Sequence, residues 1–173
     1  HRMKIYIYDS RTISHGEAVM VLEALKLLNQ GATMPEIITQ ITALRQKMTI
    51  YMTVDNLKTM IRTKRISAPA GFFANLFDIK PIVYLNDSGR IVPFEKVRSF
   101  DKCIRRLAEI VVDEVKGKKG QMYLASGQLN PYIKPLTMHL AQRGYADLPV
   151  MPIASVSLAN IGVFALVVIF IED

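Results

Sequence analysis

The feature that most constrains the fold is an apolar run near the end of the chain, IGVFALVVIFI at residues 161–171. A membrane-spanning helix needs roughly 20 apolar residues, whereas this run has only eleven. Its richness in Val, Ile and Phe, and its end at Glu172 and Asp173, are typical of a strand buried on both faces. The run therefore predicts a covered sheet and no transmembrane segment.

Hydrophobic periodicity and turn residues divide the rest of the chain into strands and helices. Strands are predicted at residues 4–9, 49–54, 82–85, 91–97, 121–126 and 148–153. Helices are predicted at residues 17–30, 33–47, 55–60, 71–77, 100–115 and 130–143, with Asp55 as the cap of the third. The sequence NDSGR suits a hairpin turn, so the strands on either side of it are predicted to pair antiparallel.

These elements define an α/β (α+β) fold class, a mixed sheet with an antiparallel hairpin, flanked by helices. The stretch ASVSLAN at residues 154–160 is small and polar between two apolar strands, and it is predicted to be a loop. Loops of this kind often carry ligand contacts because the backbone can approach a ligand closely.

Composition narrows the class of protein. With 173 residues and 50% hydrophobic content, the chain can bury a real core in one domain or a small two-lobed one. The formal charge of +7 favours acidic partners such as phosphates, carboxylates, nucleic acid or a membrane surface. A single cysteine, Cys103, cannot form an internal disulfide, and the start of the chain lacks the apolar core of a signal peptide. We therefore expect a cytoplasmic protein.

The sequence gives little support to catalysis. His15 and His139 are far apart in sequence, and Cys103 lies on the apolar side of a predicted helix, where a thiol is usually inert. No cluster of His, Cys and Asp has metal-ligand spacing, and neither phosphate-binding glycine motif is present. We therefore expect neither an enzyme nor a metal site.

Basic residues occur in four clusters, most of which are expected to be solvated surface charges. They are Arg45 with Lys47, Arg62 with Lys64 and Arg65, Arg105 with Arg106, and Lys116 with Lys118 and Lys119. Neither a recognition helix nor a sheet of stacking aromatics accompanies them, so nucleic-acid binding is not expected. The second cluster is the exception because it precedes an apolar segment. Its guanidinium groups could hold a carboxylate or phosphate at the mouth of an apolar pocket, or the loop could simply cap a buried helix.

Three stretches in order resemble the DegV family of bacterial fatty-acid-binding proteins. YDSRTISHGEAVMVLEALKLL places Asp9, Ser10, Ser14 and Gly16 on the family's D-S-x-x-x-S-x-G pattern. VDNLKTMIRTKRIS is similar to the family's V-D-x-L-x-x-L-x-R-G-G-R-I-S, and NLFDIKPIVYLNDSGRIVPFEKVRS is similar to its L-L-x-I-K-P-I segment with the turn that follows. The resemblance covers nearly the whole chain and is weakest at residues 117–152.

The resemblance implies a non-catalytic carrier that holds a long-chain fatty acid and presents its carboxylate to a partner fatty-acid kinase. No cofactor is implied apart from the bound acid. Residues expected near the head group are Arg62, Arg65, Ser14 and Asn160. Residues expected to line the acyl chain are Phe72, Phe73, Leu76, Phe77 and Ile79, although an aromatic stripe at this spacing is also typical of plain core.

The chain departs from the family pattern at three places. Thr63 and Lys64 replace a Gly-Gly pair, Asn160 stands where the family has a histidine, and the family's N-terminal segment is not matched. We therefore expect residues 1–48 to be a remnant of the first lobe and residues 49–173 to be a DegV-like C-terminal lobe. A lobe without its remaining strands would expose apolar faces, so we expect a cut or divergent short chain that forms homo-oligomers or packs against a neighbour.

Two rival functions come from other classes. One is a protein-interaction or dimerisation module with a degenerate lipid pocket. The other is an enzyme related to dihydroxyacetone kinases, which should show a nucleotide or covalent-substrate site that the sequence lacks.

Overall fold

The computed structural model describes residues 4–55, 57–67, 79–127 and 130–173. Its helices are α1 (Ser14–Asn29), α2 (Met34–Gln46), α3 (Lys58–Arg62), α4 (Phe100–Glu114), α5 (Ile133–Ala141) and α6 (Ser155–Ile161). Its strands are β1 (Met48–Thr53), β2 (Lys80–Leu85), β3 (Ile91–Val97), β4 (Gly120–Ser126), β5 (Val150–Pro152) and β6 (Leu166–Glu172). The predicted helix at residues 71–77 lies outside the described residues.

The strands form one mixed sheet of six in the order β3-β2-β1-β6-β4-β5. Only the β4–β5 pair is parallel among the described pairs, and the predicted hairpin joins β2 and β3 antiparallel. In its turn, Asn86 donates its backbone N–H to the Arg90 carbonyl at 3.0 Å. The fold class expected from the sequence is confirmed.

The strand β6 lies inside the sheet and is buried on both faces. Val167 and Ile169 point into a core with α1, α2 and α6. Val168 and Phe170 point into a second core with α4 and α5. Because successive side chains of a strand alternate between faces, a strand covered on both sides must be apolar at nearly every position. The predicted burial of this strand is confirmed, but it begins at Leu166, since residues 161–165 end α6 and form the turn after it.

The strand predicted at residues 4–9 is wrong. These residues form no regular element, and Ile5 and Ile7 are 76% and 96% exposed. An alternating pattern becomes a strand only when a neighbouring strand supplies hydrogen bonds, and none of the described strands pairs with this segment. It is held instead by the hydroxyl contact between Tyr8 and Thr42 of α2, at 2.9 Å.

The loop predicted at residues 154–160 is also wrong, because Ser155–Ile161 form α6. This helix has only seven residues, many of them small, so it is too short to show a clear hydrophobic period. The helix α3 begins at Lys58, and Leu57 rather than Asp55 occupies its N-cap position. The Asp55 carboxylate instead accepts a hydrogen bond from the Lys80 ammonium at 2.6 Å.

The proposed division between residues 48 and 49 stays a prediction. In this structure, Met20 of α1 and Ile37 and Ile41 of α2 belong to the same core as Ile50 of β1. The outward side of α1 carries a stripe of apolar side chains that are at least half exposed. They are Val21, Leu22, Leu25 and Leu28.

Candidate functional site

An apolar cavity lies between the sheet, the first turn of α1 and the short helix α6. Its floor consists of alternating side chains from the three central strands β1, β6 and β4: Ile50, Met52, Val167, Ile169 and Ala125. Its walls are Ile13, Ser14 and His15 at the start of α1, Ser157 and Ile161 of α6, and Ile153. The volume is about 20 Å³, which is room for about one water-sized group.

The start of α1 is packed tightly against the segment before it. A Cβ on Gly16 would lie 2.3 Å from the Thr12 hydroxyl oxygen, so any larger residue there would force the Thr12 side chain to move. Thr12 is buried, and its hydroxyl has no hydrogen-bond partner within the described part of the chain. Burial lowers the pKa of His15, whose Nδ1 lies 3.3 Å from the Ser14 hydroxyl. The cavity wall therefore carries a neutral imidazole near pH 7.

A second, more open cleft of about 210 Å³ adjoins the cavity and carries Arg65 and Asn160. Ile13, Ser157 and Ile161 line both spaces, so these three side chains separate the apolar cavity from the cleft. Arg65 is exposed, whereas the Asn160 amide nitrogen donates to the Val156 carbonyl at 2.8 Å. An amide nitrogen has two N–H groups, so one of them remains available to a ligand.

The backbone after α3 fixes the position of Arg65. The Arg65 N–H donates to the Met60 carbonyl at 2.8 Å, and the Ser67 N–H donates to the Ile91 carbonyl of β3 at 2.9 Å. The Thr63 hydroxyl donates to the Asn160 carbonyl at 3.2 Å. These bonds hold the loop between α6 and the β3 edge.

The predicted head-group residues do not share one site. Arg65 and Asn160 share the second cleft, and Ser14 lines the cavity beside it. Arg62 instead lines a third cleft, of about 350 Å³, between α3 and α6, together with Asp55 and Thr59. Ile79 is half-buried and lines none of these three spaces. The other predicted lining residues, Phe72, Phe73, Leu76 and Phe77, lie outside the described residues.

Sequence reasoning missed the cavity floor, although its signal was present. The alternation of Ile50 and Met52 in β1, and of Val167 and Ile169 in β6, places these side chains on one face of the sheet. What the sequence could not show is that residues 155–161 form a helix, α6, that lies over this face.

The buried thiol has the environment of an inert core residue. Cys103 is fully buried, and its sulfur lies 3.1 Å from the Thr53 hydroxyl oxygen. Burial raises the pKa of Cys103 to about 11, so the thiol stays protonated at neutral pH. Across the described ranges, no three His, Cys, Asp or Glu side chains come together as a metal site would require. Nor does any helix there have the length and apolarity to cross a bilayer.

The six-stranded mixed sheet flanked by helices is the architecture of solved DegV-family structures. A model of the family, described as "Uncharacterised protein, DegV family", matches residues 1–173. The chain therefore belongs to the DegV family.

Relatives of known sequence or structure agree with this assignment. A DegV domain-containing protein from Clostridium acetobutylicum is 33% identical over 126 residues, which are 73% of this chain and 45% of that protein. The structure of a fatty acid binding DegV family protein from Streptococcus agalactiae has a TM-score of 0.87 and 25% identity over 99% of this chain and 61% of the other. A DegV-family structure from Ruminococcus gnavus with vaccenic acid has a TM-score of 0.76 and 21% identity, over 97% of this chain and 60% of the other. The chain thus spans about half the length of the protein from Clostridium acetobutylicum.

Proposed function

We propose that this chain is a fatty-acid-binding, non-catalytic carrier. The acyl chain occupies the apolar cavity on the sheet, and the carboxylate lies in the adjoining cleft beside Arg65 and Asn160. The observation that carries the proposal is that an apolar cavity adjoins a cleft with an exposed guanidinium. Only the side chains of Ile13, Ser157 and Ile161 separate the two spaces. One related structure is of a fatty acid binding protein and another contains vaccenic acid, and both support the choice of ligand.

The cavity of about 20 Å³ is too small for an acyl chain as it stands. Entry requires the side chains of Ile13 and Ile161 to turn away, which joins the cavity to the cleft. Each buried methylene group contributes about 0.8 kcal/mol, so burial of eight would contribute about 6 kcal/mol. Apolar burial therefore supplies most of the affinity, and Arg65 fixes the orientation.

The exposed position of Arg65 suits presentation of the carboxylate to a second protein. We propose that a partner kinase phosphorylates the bound acid to an acyl phosphate and that this chain supplies no catalytic group. The family resemblance is the source of this step, and the surface position of Arg65 is compatible with it. We place the protein in the cytoplasm, where such a kinase would have ATP.

A second candidate function is an interaction module with a degenerate lipid pocket. The observation that favours it is the exposed apolar stripe of α1, in which Leu22 is 66% exposed. Exposed stripes of this kind are often covered by another protein surface. Self-association through α1 is compatible with either function.

Native mass spectrometry of the protein purified from bacteria separates the two candidates. The carrier should retain a mass increment of one long-chain fatty acid, which lipid extraction would then identify. A clean apo mass, together with no binding of added hexadecanoate, would refute the carrier and favour the module. The same spectrum reports whether the chain associates with itself.

A further inference from the structure

Arg45, near the end of α2, is a buried cation bound to two distant segments. It is 5% exposed, its Nε donates to the Arg11 carbonyl at 2.8 Å, and its Nη2 donates to the Asn86 carbonyl at 2.8 Å. Burial lowers the pKa of Arg45. A buried charge is unfavourable unless its donors are satisfied, so this arginine acts as a clamp between the segment before α1 and the β2–β3 turn.

Gly89 of the β2–β3 turn packs closely against the backbone of the segment before α1. Its φ is +74°, and a Cβ there would lie 2.8 Å from the Arg11 Cα and 3.1 Å from the Arg11 carbonyl oxygen. Arg11 itself has a φ of 50°. The turn and the guanidinium therefore hold the Arg11 backbone from two sides.

Arg11 stands two residues before Ile13, which lines both the cavity and the Arg65 cleft, and three before Ser14. We infer that Arg45 and Gly89 are positioning residues, which fix Arg11 and thereby set the wall of the cavity formed by Ile13, Ser14 and His15. The consequence for acyl binding rests on the proposed function, whereas the consequence for His15 does not.

The chain offers a matched pair of glycine variants to test this. Gly89→Ala places a Cβ against Arg11, whereas Gly31→Ala has the same left-handed strain, at a φ of +84°, with no atom within 4 Å. Both variants should lose stability through the left-handed strain, and Gly89→Ala should lose more because its Cβ meets the Arg11 backbone. Only Gly89→Ala should move the cavity wall.

The first readout is the pKa of His15, measured by two-dimensional NMR. The variant His15→Gln assigns the His15 signal. Because burial lowers this pKa in the parent protein, Gly89→Ala should raise it toward its ordinary value of roughly 6.5, and Gly31→Ala should leave it unchanged. Arg45→Met should act like Gly89→Ala, which provides a second test if one variant does not fold. An unchanged pKa of His15 in the variants that fold would overturn the inference. So would a change of this pKa in Gly31→Ala that equals the change in Gly89→Ala.

The second readout is the Kd for hexadecanoate. Gly89→Ala should raise it by about fivefold, which corresponds to about 1 kcal/mol, and Gly31→Ala should not change it. Hexadecanoate that fails to bind even the parent protein would refute the proposed function alone, since the His15 comparison still decides whether Arg45 and Gly89 position the wall.

Discussion

At the scale of single residues, the proposed binding of a carboxylate depends on Arg65. The sequence singled out Arg62 and Arg65 together because a basic cluster precedes an apolar segment. The structure separates them, since Arg62 ends α3 and lines one cleft while Arg65 follows the turn and lines another. A pattern of residues three apart cannot show which of them faces a cavity when a turn lies between them.

Replacing the Arg65 side chain tests its proposed role in holding a carboxylate. Arg65→Met should raise the Kd for hexadecanoate by about fivefold to tenfold, because a hydrogen bond to a charged group contributes about 1.5 kcal/mol at the low end and Arg65 is exposed. The Kd for hexadecanol should change less than twofold, since the alcohol has no carboxylate. Both constants can be measured by displacement of a fluorescent acid.

Arg105→Met is the control for charge, because Arg105 is exposed on α4 against the opposite sheet face. It should leave both constants within twofold of the parent. An equal loss for the acid and the alcohol in Arg65→Met would contradict a head-group role for Arg65.

At the scale of elements, the turn after α3 shows how a departure from the family pattern is accommodated. Lys64 stands where the resemblance expects glycine, and it adopts a φ of 55°. Its position matches the left-handed residue that ends many helices, with the next N–H bonded back to the Met60 carbonyl. The backbone thus keeps a glycine-like path at a non-glycine residue, which the sequence could flag but not resolve.

This strain predicts that Lys64→Gly stabilises the protein. A non-glycine residue in the left-handed region costs about 1–2 kcal/mol, and the greater chain entropy of glycine offsets part of the relief. The free energy of unfolding in urea should therefore rise by about 0.5–1 kcal/mol. Lys64→Ala, which keeps the strain and removes only the long side chain, should show no such gain; equal stability of the two variants would contradict the strain.

Most elements could be predicted from the sequence because local patterns determine them. The capping pair of α2 is an example, since Glu36 accepts hydrogen bonds from both the N–H and the hydroxyl of Thr33 at 2.7 Å. The structures of residues 4–9 and of α6 could not be predicted from local patterns. Whether residues 4–9 pair as a strand, and whether α6 is buried against the sheet, depends on distant parts of the chain.

At the scale of the whole molecule, the sheet is covered unequally and the candidate site lies on one face only. The α4–α5 face is filled by a continuous apolar core. The opposite face leaves the cavity beneath the start of α1 and the helix α6. The sequence predicted the class of protein and exposed apolar faces on the first lobe, whereas the cavity requires three strands and two helices to meet and has no local signal.

The proposed acyl site is tested most directly by titration calorimetry of hexadecanoate with two variants, each changed at an apolar position. Ala125→Leu fills the cavity from its floor, where Ala125 is buried, and Leu22→Gln removes apolar surface from the exposed α1 stripe. Circular dichroism should first confirm that both fold, since overpacking costs about 1–3 kcal/mol. Ala125→Leu is expected to raise the Kd at least about tenfold, the equivalent of about 1.4 kcal/mol, whereas Leu22→Gln should bind like the parent. Unchanged binding by Ala125→Leu with loss in Leu22→Gln would show that the acid adheres to the surface of α1 instead.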